Sequence, residues 1–168
     1  RNVLSVKQAQ LVLDQVDLEH PMGLRDRAML ELLYSTGIRR QELLQLKVEE
    51  LDLAHRELWV RHGKGRQERV LPVGARAAAW VERYIEELRP KLARGKDEGR
   101  AFLTSAGEPF SAGHLGWVVK KYVEQAGIEK GGGCHLFRHT VATLMLEGGA
   151  DVRYVQEMMG HKRLTTTQ

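Results

Sequence analysis

The sequence has one cysteine among its 168 residues and contains no long hydrophobic run. Because a lone cysteine cannot form an internal disulfide, Cys134 excludes a fold that is held together by disulfide bridges. No apolar stretch approaches the roughly 20 residues that a membrane-spanning helix requires, so we expect no membrane partner. The chain also opens without a basic leader followed by an apolar segment. These absences predict a cytoplasmic protein whose thiol stays reduced.

The charge balance is only mildly basic. Lys and Arg total 26 against 22 for Asp and Glu, which gives a net charge of +4 and an isoelectric point near 9.3. Such an excess permits a nucleic-acid partner without requiring one. The length fits a single domain with one core, and we expect one domain over residues 1–168. Helical patterning is under way by Val6, which is typical of a fragment that begins at a domain boundary.

Apolar residues with helical spacing occupy both ends of the sequence. Ser5 and Gln8 have the spacing of a capping box at the start of the first helix. Gly37 is expected to end the second helix, which places Arg39 on rigid backbone at the start of the third. The predicted helices span roughly residues 6–16, 24–36, 40–46, 75–88, 115–126, 135–147 and 151–159.

The period changes between Val48 and Val73, where short apolar runs alternate with polar turns. This pattern predicts a small three-stranded antiparallel sheet, so the expected fold class is mainly α with a small β-sheet. The second turn contains the residues Gly63-Lys64-Gly65-Arg66. A lysine flanked by two glycines is thereby placed at the tip of a hairpin.

Two arginines on separate predicted helices, Arg39 and Arg138, suit the chemistry of a phosphodiester. Attack on phosphorus spreads negative charge over the non-bridging oxygens, so an enzyme without a metal requires fixed cationic donors there. The planar fork of arginine donates two parallel hydrogen bonds to one phosphate and keeps its charge. Spacing alone does not bring the two side chains together, because about a hundred residues separate them.

Three short boxes, with the Gly-Lys-Gly hairpin between the first and the second, resemble those of the tyrosine recombinases, which are DNA strand-exchange enzymes of the phage-integrase type. The boxes are Thr36-Gly37-Ile38-Arg39 with Glu42-Leu43, then His135 with Arg138-His139, then Gly160-His161 with Leu164 and Thr166-Thr167-Gln168. The resemblance spans nearly the whole chain and implies the catalytic-domain fold of that family.

The resemblance also implies roles for five catalytic residues. Arg39 and Arg138 hold the scissile phosphate, while His135 and His161 contact it or assist proton movement. Lys64 protonates the leaving 5′ oxygen, which is a poor leaving group near neutral pH unless a proton arrives with it. DNA-binding or supporting residues are a second expected set, namely Arg40, Glu42, Arg66, Arg69 and His139. Within this set, Glu42 is expected to stabilise its helix and His139 to pack and orient.

The reaction that the resemblance implies is a pair of transesterifications. A tyrosine hydroxyl attacks phosphorus and forms a 3′-phosphotyrosyl link, which a 5′-hydroxyl from partner DNA then reverses. The bond energy is retained in the protein link, so no cofactor is expected. The four tyrosines of the chain do not match the nucleophile's position, which falls two residues beyond Gln168. We therefore expect the fragment alone to be inactive.

The resemblance implies duplex DNA and further copies of the protein as partners, with four copies at a synapse. It also implies a helical N-terminal domain that is absent from this chain. Two alternatives keep the fold but change the function. A non-catalytic module would only grip DNA phosphates, and a type IB topoisomerase-like enzyme would nick and close DNA without exchanging strands.

A metal site is a third alternative. His135 and His139 share one face of a predicted helix beside Cys134, and in this alternative His161 is a further metal ligand. Arg138 lies near the same face and would repel a dication, so we expect no metal.

Overall fold

A computed structural model describes residues 2–61 and 68–160, and over these ranges the chain forms α-helices around a small antiparallel sheet. The helices are α1 (Val6–Asp14), α2 (Gly23–Thr36), α3 (Arg40–Gln45), α4 (Ala75–Arg83), α5 (Arg89–Leu92), α6 (Ala112–Gln125), α7 (Cys134–Glu147) and α8 (Val152–Met159). The predicted class, mainly α with a three-stranded sheet, is confirmed. In the described ranges, the helices lack the length and the apolar character that membrane crossing requires.

The sheet contains β1 (Leu51–Asp52), β2 (Glu57–Val60) and β3 (Arg69–Pro72) in that spatial order, with antiparallel pairing throughout. Leu58 lies opposite Leu71, and both side chains are fully buried. Their neighbours Trp59 and Val70 form the next pair and point to the exposed face. Because successive side chains of a strand alternate between faces, this register turns Leu58 and Leu71 toward the core and leaves Trp59 and Val70 on the other face.

Caps fix the ends of the helices that matter for the site. The predicted capping box at Ser5 is present, with reciprocal bonds to Gln8. Helix α2 ends at Gly37, whose φ of 65° lies in the left-handed region that glycine adopts without strain. Arg39 then has extended backbone and is the N-cap residue of α3. Arg39 is therefore held at a helix start, as the sequence predicts.

Helix α2 runs through the middle of the core, packed between α4 and α7. Even its charged residues are buried, and they pair locally: Arg25 with Asp26, and Arg27 with Glu31. A separate small cluster of Val141, Val155 and Met159 joins α7 to α8. Helix α8 thus packs against α7, and its Met158 also joins the main core.

The helix predicted over residues 75–88 is longer in the structure than expected and is not α-helical throughout. It passes through a π-helical turn, Tyr84–Leu88, and continues beyond Pro90 to Leu92. The Arg89 amide donates to the Tyr84 carbonyl, and Pro90 falls at the start of α5, where its missing N–H is not required. The buried Tyr84 hydroxyl bonds the backbone of Ala101 and Leu103, which holds this turn against the core.

Candidate active site

A cleft of about 630 Å³ lies between the start of α3, the middle of α6 and the start of α7. Its lining includes Arg39, Arg40, His135 and Arg138, which the sequence singled out. Residues from the first and second boxes, about a hundred positions apart in sequence, therefore meet at one place. The fold brings Arg39 and Arg138 together, which their spacing in the sequence did not predict.

Arg138 is buried, with 9% of the residue exposed, and it lines the cleft. Its Nη1 donates to the Gly37 carbonyl at 2.9 Å, and its Nη2 donates to the Met159 carbonyl. Burial, and after it the positive charge of Arg39, lower the pKa of Arg138 to about 10, while Glu42 acts in the opposite direction. The cation is thus held on neutral carbonyls in a site that favours an added anion.

Arg39 approaches the same place from α3. Its Nη2 donates to the Gly160 carbonyl at 3.4 Å, and its backbone N–H donates to Glu42 Oε1 at 3.1 Å. Glu42 thereby caps the first turn of α3, in the way expected of a carboxylate at a helix N-terminus. The position of the Arg39 backbone depends directly on the position of this carboxylate.

Glu42 in turn is held by Arg69 of β3. The two Nη atoms of Arg69 donate to the two carboxylate oxygens, each at 2.8 Å. Arg69 Nε also donates to the Met158 carbonyl at 2.7 Å. Only 9% of the Arg69 side chain and 2% of the Glu42 side chain are exposed, so this is a buried, bidentate ion pair.

Sequence patterns gave no indication that the carboxyl end of α8 would organise these arginines. Three successive carbonyls, those of Met158, Met159 and Gly160, accept hydrogen bonds from Arg69, Arg138 and Arg39 respectively. The last carbonyls of a helix lack intrahelical donors and carry partial negative charge, so guanidinium groups are favourable partners there. Gly160 immediately precedes His161 in the sequence. His161, Lys64 and Arg66 lie outside the described residues.

His135 and His139 occupy successive turns of α7, with ring centroids 6.1 Å apart, and both residues are exposed. His135 lines the cleft beside Arg138. Burial raises the pKa of the neighbouring Cys134 thiol to about 11. The thiol therefore stays protonated near neutral pH.

One basic residue of the cleft was not predicted from the sequence. Lys120 lies on the exposed side of α6 and lines the cleft together with Gly116, one helical turn earlier. The Arg40 guanidinium passes over Gly116, with Nη1 3.6 Å from the position that a Cβ there would occupy. The cleft is thus cationic on its α6 side as well. The polar face of α6 was the signal that could have indicated Lys120.

Comparison with known proteins shows the family. The model of the phage integrase family matches residues 2–168. The chain belongs to the phage integrase family. Tyrosine recombinase XerC 2 of Ralstonia nicotianae is 51% identical over 168 residues, which are 100% of this chain and 48% of the relative. Tyrosine recombinase XerD of Chlorobaculum tepidum is 44% identical, over 99% of this chain and 56% of that protein. This integrase-family chain spans about half the length of the curated relatives that it matches.

Solved structures agree with that assignment. The crystal structure of XerA recombinase superimposes with a TM-score of 0.86 at 26% identity, over 99% of this chain and 56% of XerA. A pre-cleavage complex of the XerH site-specific recombinase with its difH substrate gives a TM-score of 0.85 at 24% identity, over 99% of this chain and 49% of XerH. At 24% identity the XerH likeness shows the fold alone. The tyrosine recombinase fold expected from the three boxes is confirmed.

Proposed function

We propose that this chain is the catalytic domain of a site-specific tyrosine recombinase, which cleaves and rejoins DNA strands through a 3′-phosphotyrosyl intermediate. The observation that carries the proposal is the meeting of Arg39 and Arg138 in one cleft, on elements far apart in sequence. In this proposal residues 1–168 form a single domain, and duplex DNA lies against the cleft. Four copies assemble at a synapse in the cytoplasm.

The electrostatics of Arg138 support a phosphate as the ligand. Its guanidinium is buried on the neutral carbonyls of Gly37 and Met159, and the neighbouring charge of Arg39 disfavours its protonated form. A phosphodiester anion supplies the negative charge that these partners lack. As phosphorus is attacked, the charge on the non-bridging oxygens increases, so the two guanidinium groups bind the transition state more tightly than the ground state.

The remaining steps are assigned to residues around this phosphate clamp, by which we mean Arg39 and Arg138. A tyrosine hydroxyl from a segment beyond Gln168 attacks phosphorus, and the P–O bond to the 5′ oxygen breaks. Lys64 delivers a proton to that oxygen, while His135 and His161 contact the phosphate or move the proton of the tyrosine. The phosphate ester passes to tyrosine and back to a 5′-hydroxyl, so the cycle needs no nucleotide cofactor.

Covalent capture tests the proposal. A longer form of the protein, containing a tyrosine two positions beyond Gln168, is mixed with a duplex nicked just downstream of the cleavage site. The short 5′-hydroxyl strand then diffuses away and prevents rejoining. We expect a denaturant-resistant protein–DNA adduct that disappears when this tyrosine is replaced by phenylalanine.

Two other results would each contradict the recombinase assignment. Duplex binding without any adduct would identify a non-catalytic DNA-binding module. Adduct formation and relaxation of supercoiled DNA, without strand exchange between two site-bearing duplexes, would identify a nicking-closing enzyme. Both assays use the same purified protein, so the three functions are separated in one set of measurements.

Lys64→Ala is expected to slow capture by roughly 100-fold or more on an ordinary duplex, because general acid catalysis contributes about that much. A duplex with sulfur in place of the 5′ bridging oxygen has a leaving group that needs no proton. On that duplex the variant should react within a few-fold of the parent protein. Capture rates on the two duplexes are the measurement, and Lys91→Ala, which changes a lysine on α5, is the matched control. Equal slowing on both duplexes would show that Lys64 is not the acid.

A further inference from the structure

We propose that Arg69 is a positioning residue that fixes the phosphate clamp from behind, by holding Glu42 at the start of α3 and the last turn of α8 in one fixed arrangement. The inference rests on the proposed function, since it concerns the rate of strand cleavage. It assigns to a buried arginine outside the three sequence boxes an effect on catalysis without contact to DNA.

The contacts of Arg69 reach two elements at once. Both carboxylate oxygens of Glu42 accept from its Nη atoms at 2.8 Å, and the Met158 carbonyl accepts from its Nε at 2.7 Å. Glu42 belongs to α3 and Met158 to the last turn of α8, which are separated by more than a hundred residues of sequence. One planar guanidinium therefore sets the distance between two independent helix ends.

Each of those helix ends anchors one arginine of the phosphate clamp. At α3, the carboxylate held by Arg69 accepts the backbone N–H of Arg39 through Oε1. At α8, the residue after Met158 provides the carbonyl that accepts from Arg138. A displacement of the Arg69 side chain thus shifts the anchor points of both clamp arginines. Misplacement of reacting groups by about 1 Å can cost on the order of 100-fold in rate.

The geometry also distinguishes a positioning role from DNA binding. The Arg69 side chain is 9% exposed, and its fork is directed at a carboxylate that is itself 2% exposed. A DNA phosphate would have to displace a bidentate ion pair to reach it. Arg40, by contrast, is exposed and lines the cleft. Loss of Arg69 should therefore reduce the cleavage rate while leaving the affinity for duplex nearly unchanged.

Lysine cannot replace this arginine. An ammonium group is a single point charge on a flexible stem, whereas the guanidinium presents five donors in a fixed plane. The Arg69→Lys variant would keep the charge near Glu42 but could not hold the carboxylate and the Met158 carbonyl together. This variant consequently separates the effect of charge from the effect of geometry.

The test uses the tyrosine-containing protein and two quantities: the single-turnover rate of covalent capture at saturating duplex, and the dissociation constant for the same duplex. We expect Arg69→Gln to lower the rate by roughly 100-fold and to change the dissociation constant by less than about 3-fold. Arg69→Lys should keep the affinity and fall between the parent and Arg69→Gln in rate. The double variant with Glu42→Gln should be no slower than the slower single variant, because each change removes the same ion pair.

Arg27→Gln is the matched control. Arg27 is similarly buried, pairs with the buried Glu31 of α2 and lies outside the cleft. Its loss should lower the melting temperature without changing the capture rate of the folded protein. If Arg69→Gln does not fold, Arg69→Lys and Glu42→Gln decide the question by the same two quantities.

Three results would overturn the inference. A normal capture rate in folded Arg69 variants would make the residue merely structural, and a dissociation constant that rises as much as the rate falls would make it a DNA contact. Both leave the proposed function intact, because the parent protein still forms the adduct. If the parent protein itself forms no adduct, the proposed function fails and the positioning role fails with it.

Discussion

Arg138→Ala is expected to lower the rate of covalent capture by at least roughly 1,000-fold. Removing a fixed hydrogen-bond donor to the transition state, or a catalytic arginine, usually lowers a rate by about that factor. The side chain is buried at the cleft, and its fork is held by the Gly37 and Met159 carbonyls. No nearby cation of α7 can take its place, since the other basic side chains of that helix are the imidazoles of His135 and His139. The measurement is single-turnover capture on the nicked duplex.

Two variants show whether the fork itself is required. Arg138→Lys keeps the positive charge, but an ammonium group cannot donate two parallel hydrogen bonds to one phosphate. We therefore expect this variant to remain at least roughly 100-fold slower than the parent protein. Arg27→Ala removes an arginine of matching burial from α2 and should leave capture unchanged in the folded protein. Capture by Arg138→Ala within about 10-fold of the parent rate would remove Arg138 from the phosphate clamp.

Stability provides a second readout for Arg138. Its pKa is lowered to about 10 by burial and by Arg39, so keeping it charged near neutral pH costs the DNA-free fold on the order of 3 kcal/mol. A bound phosphate favours the charged form and returns part of that cost. Added duplex should therefore raise the melting temperature of the parent protein more than that of Arg138→Ala.

Much of the fold could be predicted because its signals are local. The capping box of Ser5 and Gln8 needs only a spacing of three residues, and the strands around Leu58 and Leu71 need only alternation. Gly37 ends α2 because a left-handed residue closes a helix without strain only when it is glycine. Each of these patterns can be seen within a few positions of the chain.

The contacts that organise the site are not local, and four of them end on backbone carbonyls, a group that every residue possesses. Arg69 and Glu42 are 27 positions apart, and no spacing rule pairs a strand residue with a helix residue at that distance. Backbone carbonyls at the end of α8 accept hydrogen bonds from both clamp arginines. Because every residue has a carbonyl, no sequence motif indicates which ones take part. The boxes point to the arginines that we assign to the phosphate, whereas only the contacts among α3, β3, α7 and α8 show what holds them in place.

Gly37→Ala is expected to destabilise the fold by roughly 2–4 kcal/mol and to slow capture by roughly 10-fold or more. The residue has a φ of 65°, which costs an L-amino acid about 1–2 kcal/mol. A Cβ would also lie 2.9 Å from Met159 Cε and 3.1 Å from Val141 Cβ. The methionine methyl can move aside, but the valine Cβ is fixed to the backbone of α7. The Gly37 carbonyl must then shift, and with it the Nη1 contact of Arg138.

Gly127→Ala is the control that separates the backbone strain of a left-handed residue from the steric contact of the added Cβ. Gly127 follows α6 with a φ of 74°, yet a Cβ there would meet nothing within 4 Å. This variant should lose only the roughly 1–2 kcal/mol of left-handed strain and keep a normal capture rate. Chemical denaturation gives the two free energies of unfolding, and the nicked duplex gives the two rates. Equal losses for both glycines would mean that α7 and α8 accommodate the methyl group, and that the close packing at Gly37 does not position Arg138.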